Sequence, residues 1–282
     1  MIDSEAGLFA TRRQVVAGMA ATLPLVSAGL SPLAAAELAG NELPLHTNGL
    51  EHLGLVTADV TKSATFYCNM FGHGLFREVD PPLRYYVMTG KSYIAIGSRE
   101  GVAPKLDHYC TTVIGYNREK MDARISGMGY RALGRGVALD RDGLGLQLIE
   151  DPAGLVDTNV PADRILGRGY GLVQPICMDH VLLKVSDLKA SLPFYDAFFP
   201  RVKARADGQV WFGAADTTIR IEQQAAGKAP EFARYAIRTG PFDAGRVAEG
   251  VAKVGGTVLL KGSKGQLRIA DPDKLQFEIV PV

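Results

Sequence analysis

Three of the five histidines, His52, His108 and His180, each stand directly before an apolar run of strand character. An imidazole so placed is either a metal ligand or a packed or capping side chain, and a single histidine does not choose between the two. A choice needs several such groups at matching positions. The cysteines offer no rival metal chemistry: Cys68, Cys110 and Cys177 are scattered, without a CxxC and without zinc-type spacing. Their odd number leaves at least one thiol unpaired, so the chain is not a disulfide scaffold.

The elements that position the histidines form a repeat. An offset of 128 residues lays His52 on His180, Asp59 on Asp187, Ser63 on Ser191, Phe66 on Phe194, Tyr67 on Tyr195 and Phe71 on Phe199, all within the twenty positions 52–71. Each copy opens with an apolar strand, Leu53 to Thr57 or Val181 to Val185. An aspartate follows at a helix N-cap position, where its carboxylate accepts backbone N–H groups. The next helix buries Phe and Tyr on one face, so Tyr67 and Tyr195 read as core packing. Strands are expected at 83–88, 93–96, 210–212 and 217–221.

A shorter echo lies inside each copy. Asp107-His108 opens another strand, a helix spans 118–128, and strands near Val137 and at 144–149 follow. The second copy repeats this from Ala233 through a helix at 243–254 to a strand at 275–280. The predicted class is therefore α+β, with two domains, each a pair of strand-helix-three-strand (βαβββ) modules. The first domain is expected at about 45–151, with modules at about 50–100 and 106–151. A Gly- and Pro-rich linker covers 152–178. The second domain is expected at 179–282, with modules at about 179–224 and 232–282.

Composition narrows the function. In 282 residues, 47% hydrophobic and 22% charged side chains exclude disorder and a multi-span membrane protein. Lys plus Arg number 31 against 30 acids, with no basic stripe, so nucleic acid is not an expected partner. Residues 1–36 resemble a twin-arginine export signal: Arg12-Arg13, a weakly apolar run to Leu33 broken by Gly18, Pro24 and Gly29, and a cleavage site after Ala36. That run is too interrupted for a stable membrane span. The expected partners are the twin-arginine export machinery and a small-molecule substrate, and the expected location is the bacterial periplasm.

Tandem βαβββ modules opened by Asp/Glu-His and closed by Asp271-Pro272-Asp273 and Glu278 resemble the vicinal oxygen chelate superfamily, over essentially everything after the signal. The group includes glyoxalase I, type I extradiol dioxygenases, methylmalonyl-CoA epimerase and antibiotic-resistance proteins. The resemblance implies half-open curved sheets, completed within a chain or across a homodimer. It also implies metal ligands from the first strand of each module and from the last strands. Carried onto the first domain, those positions are His52, His108 and Gln147, the last fixed by laying Asp140-Arg141-Asp142 on Asp271-Pro272-Asp273. The fourth position falls near Ala95 and supplies nothing. Glu150 competes with Gln147 but lies three residues on, on the opposite face of a strand.

In the second domain His180 and Glu278 match the ligand pattern, so an alternative site lies there. Its other two positions are Arg220 and Arg234, and an arginine cannot ligate a metal. These arginines either form an ion-pair network with Glu278 or bind an anion of the substrate. The implied cofactor is a divalent metal, Fe(II), Mn(II) or Zn(II). The expected function is an exported metalloenzyme acting on a substrate with vicinal oxygens, leaning towards an extradiol dioxygenase. Four modules in one chain favour that branch, whereas a neutral Gln147 in place of a carboxylate weakens it. The alternatives are a glyoxalase-like lyase or isomerase using the metal as a Lewis acid, and a metal-free binding or resistance-type protein.

Overall fold

The computed structural model describes residues 44–282 apart from 73–74, 79–81, 135, 152–170 and 205–207. The export motif and most of the expected linker lie outside the described residues. Two eight-stranded sheets and four helices make up the described chain.

The first sheet contains β1 (Thr47–Val56), β2 (Leu75–Glu78), β3 (Arg84–Thr89), β4 (Ser92–Gly97), β5 (Lys105–Val113), β6 (Arg131–Ala132), β7 (Val137–Leu139) and β8 (Gly145–Glu150), in the order β2-β3-β4-β1-β5-β8-β7-β6. Helix α1 (Val60–Phe71) follows β1, and α2 (Arg118–Gly127) follows β5. The second sheet repeats this plan with β9 (Pro175–Val185), β10 (Arg201–Ala204), β11 (Val210–Ala214), β12 (Thr217–Gln223), β13 (Glu231–Thr239), β14 (Thr257–Lys261), β15 (Leu267–Ala270) and β16 (Gln276–Pro281). Its order is β10-β11-β12-β9-β13-β16-β15-β14, and its helices are α3 (Leu188–Phe198) and α4 (Ala244–Lys253). In each sheet the opening strands of the two modules, β1 with β5 and β9 with β13, pair antiparallel at the centre. Each also pairs parallel with the last strand of its own module. Every sheet is thus two βαβββ modules joined at their first strands, both drawn from this one chain.

Local chemistry starts the helices where the repeat predicts them. Asp59 accepts hydrogen bonds from the Thr61 and Lys62 amides, and Asp187 from that of Ala190. Asn117 and Asp243 do the same for α2 and α4. Each such cap is worth about 1 kcal/mol. Helix α1 stops at Gly72, whose φ of 58° is left-handed and lets its amide reach the Cys68 carbonyl.

The strands without a sequence signal are mostly edges. Strands β2, β6, β10 and β14 terminate the two sheets, and an edge strand, paired on one side alone, carries a weaker burial pattern. β6 has two residues, and β14 exposes Leu259 and Leu260.

The two sheets share one apolar core, built from buried residues of both halves. Phe66 and Tyr67 of α1 lie 6.2 and 5.8 Å from Phe277 of β16, and Tyr130 lies 4.9 Å from Phe194 of α3. Aromatic rings at these spacings add to the area they bury. Among the described residues no helix is long and apolar enough to cross a membrane.

Candidate metal centre

Strand register brings the candidate ligands together. His52 pairs with Tyr93, with Cys110 across the central antiparallel step, and Cys110 pairs with Gln147. One pleat further, Gly54 pairs with Ala95 and with His108, and His108 with Gly145. Cross-strand partners share a face. The first sheet therefore presents two rows, Tyr93-His52-Cys110-Gln147 and Ala95-Gly54-His108-Gly145. The second row is small everywhere except at the histidine. A Cβ on Gly54 would stand 2.2 Å from His108 Cε1, so the ring lies across the space that glycine leaves.

The donor atoms converge from those rows. His52 Nε2 is 3.3 Å from His108 Nε2 and 3.1 Å from Gln147 Oε1. The other nitrogen of each ring is held by the acid that precedes it: His52 Nδ1 by Glu51, and His108 Nδ1 by Asp107 at 3.2 Å. In the neutral rings, a hydrogen on each Nδ1 leaves a lone pair on each Nε2. Two nitrogen lone pairs and an amide oxygen then face one another in a site where His52 is 2% and Gln147 9% exposed. Three acceptors pointed at one another repel unless a cation stands between them. Ligands about 2.1 Å from a divalent ion at right angles lie about 3 Å apart, and the observed spacings match. The residues present fit a divalent metal held by His52, His108 and Gln147, with Glu51 and Asp107 orienting the rings.

Glu51, His52 and Cys110 also bring three donor atoms within 4.8 Å of one another. Glu51 is bonded to His52 Nδ1, and its Oε1 is buried without a hydrogen-bond partner. Its carboxylate lies behind the imidazole and places there the negative charge that Gln147 does not supply. Tyr93 stacks on the His52 ring at 4.6 Å and 16°.

These donors open onto a cavity of about 490 Å³, within the range of small-molecule sites. Leu133, Val137 and Tyr86 give it apolar walls, and Arg84, Arg99 and Lys105 line it with positive charge. Asp107, the one acid among its described lining residues, is spoken for. It accepts hydrogen bonds from both terminal nitrogens of Arg99, at 3.0 and 2.7 Å, and lies 3.0 Å from Lys105 Nζ. Burial alone would raise its carboxyl, but His108 and Lys105 outweigh that and hold it well below the usual carboxylate range.

The second domain keeps the scaffold and changes the site. Its equivalent rows are Thr218-His180-Ala236-Glu278 and Arg220-Leu182-Arg234. Leu182 occupies the place of Gly54, and Arg234 that of His108. His180 Nδ1 lies 2.8 Å from Asp179, and its Nε2 is 3.9 Å from Glu278. Burial, with Arg220 adding to it, holds the His180 pKa below its ordinary value. Glu278 Oε1 is taken by Arg268 Nε at 2.9 Å and Arg234 Nε at 3.1 Å.

Among the other candidates, Glu150 is exposed at the end of β8, away from the donors, and Ala95 lines the cavity beside Gly54 without contributing a ligand. The three cysteines are buried and unbridged, and burial pushes the Cys68 thiol up to about 12. Tyr67 and Tyr195 are fully buried in the shared core. Sequence reasoning missed Gly54, Tyr93 and the positioning part of Glu51. The acid before each histidine was visible in the sequence as the opening motif.

Residues 49–155 match the family model of the Glyoxalase/Bleomycin resistance protein/Dioxygenase superfamily. That span carries all three converging donors. No curated protein matches the chain. Solved structures match it along most of its length at low identity, which establishes a common fold. The Mn(II)-bound glyoxalase from Novosphingobium aromaticivorans is 14% identical with a TM-score of 0.61, over 83% of this chain and 81% of that one. Homoprotocatechuate 2,3-dioxygenase from Brevibacterium fuscum, in complex with 3,4-dihydroxyphenylacetate, is 15% identical with a TM-score of 0.62, over 86% and 83%. The 2,3-dioxygenase LapB from Pseudomonas sp. KL28 is 14% identical with a TM-score of 0.59, over 84% and 92%.

Proposed function

We propose that this chain is an exported metalloenzyme that binds a small substrate through two adjacent oxygens in the first-domain cavity and cleaves it with dioxygen. The observation that carries the reading is the convergence of His52 Nε2, His108 Nε2 and Gln147 Oε1 on the cavity floor, each histidine turned by its own carboxylate. A bound Fe(II) or Mn(II) would supply Lewis acidity and redox capacity next to the chelated oxygens, and Zn(II) the first alone. The protein supplies the rest. His52, His108 and Gln147 would hold the ion, Tyr86 and Leu133 shape an apolar slot, and a lining that sets Arg84, Arg99 and Lys105 against Asp107 alone attracts an acidic substituent.

Charge favours an acidic, catechol-like substrate. Three neutral ligands would leave a bound ion's charge to be met by Glu51, Asp107 and the substrate itself, which would favour an anionic chelator. Lyase or isomerase chemistry needs a base for a carbon-bound proton. Among the described lining residues the one carboxylate, Asp107, is engaged by Arg99 and Lys105 and held ionised far below neutral pH, which makes it a weak base. The glyoxalase-like reading is second for that reason. The Arg12-Arg13 motif supports export to the periplasm.

The test is oxygen uptake by the full chain loaded anaerobically with Fe(II), Mn(II) or Zn(II), in the presence of catechols with and without an acidic side chain. Uptake and a ring-cleaved product with iron or manganese, faster for the acidic catechols, are expected. Isomerisation of an α-oxo substrate without oxygen uptake would overturn this reading in favour of the lyase.

A further inference from the structure

The second domain carries a separate recess of about 240 Å³, on the face equivalent to the metal centre. Its lining sets three guanidinium groups, Arg220, Arg234 and Arg268, against one carboxylate, Glu278. Register explains the crowding. Arg220 and Arg234 flank Leu182 on neighbouring strands, and Arg268 pairs with Glu278.

Glu278 does not satisfy Arg234 and Arg268 together. Arg234 and Arg268 both direct Nε at the same oxygen, Oε1. Arg234 Nε lies within ion-pair distance but off the hydrogen-bond direction, and remains a buried donor without an acceptor. No described residue accepts a hydrogen bond from the terminal nitrogens of Arg234 or Arg268. Asp179, behind the recess, is drawn instead to Arg238 at 2.9 and 3.0 Å and stands 3.7 Å from Arg220. Burial and the neighbouring Arg268 press the Arg234 pKa below its ordinary value, with Glu278 and Glu222 opposing them. Arg220 lies 4.0 Å above the ring of Trp211, and its Nε donates to Thr218 Oγ1 at 3.4 Å.

Forked donors left over in a half-buried recess are the recognition chemistry of an oxyanion. We propose that this recess binds the carboxylate or phosphate group of a small ligand, held between Arg234 and Arg268 and covered by Arg220 on Trp211. The site is distinct from the metal centre and does not depend on the metal reading.

Trp211 is the only tryptophan of the chain, so its fluorescence reports on this recess alone. Full-length protein would be titrated with inorganic phosphate, with benzoate and with succinate, against sodium chloride at matched ionic strength. A saturable change in Trp211 emission is expected, with half-saturation on the order of 0.1–1 mM for the preferred anion. Stronger binding of phosphate than of either carboxylate would assign the recess to a phosphoryl group, and the reverse order to a carboxylate. The variants Arg234→Gln and Arg268→Gln should each weaken binding about tenfold or more, while Arg234→Lys retains part of it and His108→Ala leaves it unchanged. Circular dichroism verifies that each variant is folded. A response no larger than that to chloride, or equal binding by folded Arg234→Gln and Arg268→Gln, would overturn the proposal.

Discussion

The hydroxyl of Tyr67 in the first domain donates to Asp271 of the second at 2.7 Å, and Tyr195 returns the same bond to Asp140, also at 2.7 Å. Each aspartate sits in the turn before a closing strand, where it also accepts two backbone amides. The first helix of each domain thereby braces the turn that leads into the other domain's closing strand, which carries Glu278 or Gln147.

Tyr67→Phe should therefore cost about 1.5–3 kcal/mol, the worth of a buried hydrogen bond to a charged acceptor. Burial already raises the Asp271 carboxyl, and losing the tyrosine removes part of what offsets that. Because the core is shared, calorimetry should show one unfolding transition for both domains, shifted down. Two transitions would contradict the shared core.

Gly54→Ala should abolish metal binding while leaving the fold in place. The added methyl would occupy the space of the His108 ring, and the equivalent position in the second domain is Leu182, which folds there beside an arginine. Cobalt loading followed by visible absorption checks the loss, and circular dichroism checks the fold.

Glu51→Gln should weaken metal affinity about 10- to 100-fold, the usual effect of removing a carboxylate behind a ligating histidine. The amide keeps the shape but removes the charge that offsets the neutral Gln147. Competition with a chromogenic chelator measures the change. A companion variant, Gln147→Glu, should raise affinity for Fe(II) by restoring a carboxylate to the donor set.

Asp179 links the second-domain site to pH. Burial would raise its carboxyl, but His180 and Arg238 outweigh that and lower it from 3.8 to about 2. Its stabilisation is complete above about pH 4 and disappears as pH falls through about 2. Asp179→Asn should lose about 1–2 kcal/mol at neutral pH and flatten that part of the acid limb. Urea midpoints measured between pH 2 and pH 7 give both quantities.

The 128-residue repeat made the domains and His52 legible, by matching that histidine to His180, and the shorter echo opened by Asp107-His108 made His108 legible. Gln147 was reachable only through the Asp140 turn, whose spacing to the closing strand repeats at Asp271. Gly54 was not legible, since its contribution is an absent side chain and appears only when β1 is set against β5. Arg268 was missed because β15 is only four residues long and supplies none of the positions carried over from the ligand pattern, so the second-domain recess looked like a pair of arginines and not three. The edge strands left no signal for the related reason that one side of each has nothing to pack against.

The most direct test of the metal centre is elemental analysis of full-length protein after loading and desalting, beside His108→Ala and Gln147→Ala. About one divalent metal per chain in the parent, lost in both variants, is the predicted result. A parent chain that retains no metal, or variants that retain as much as the parent, would contradict a centre built from His52, His108 and Gln147.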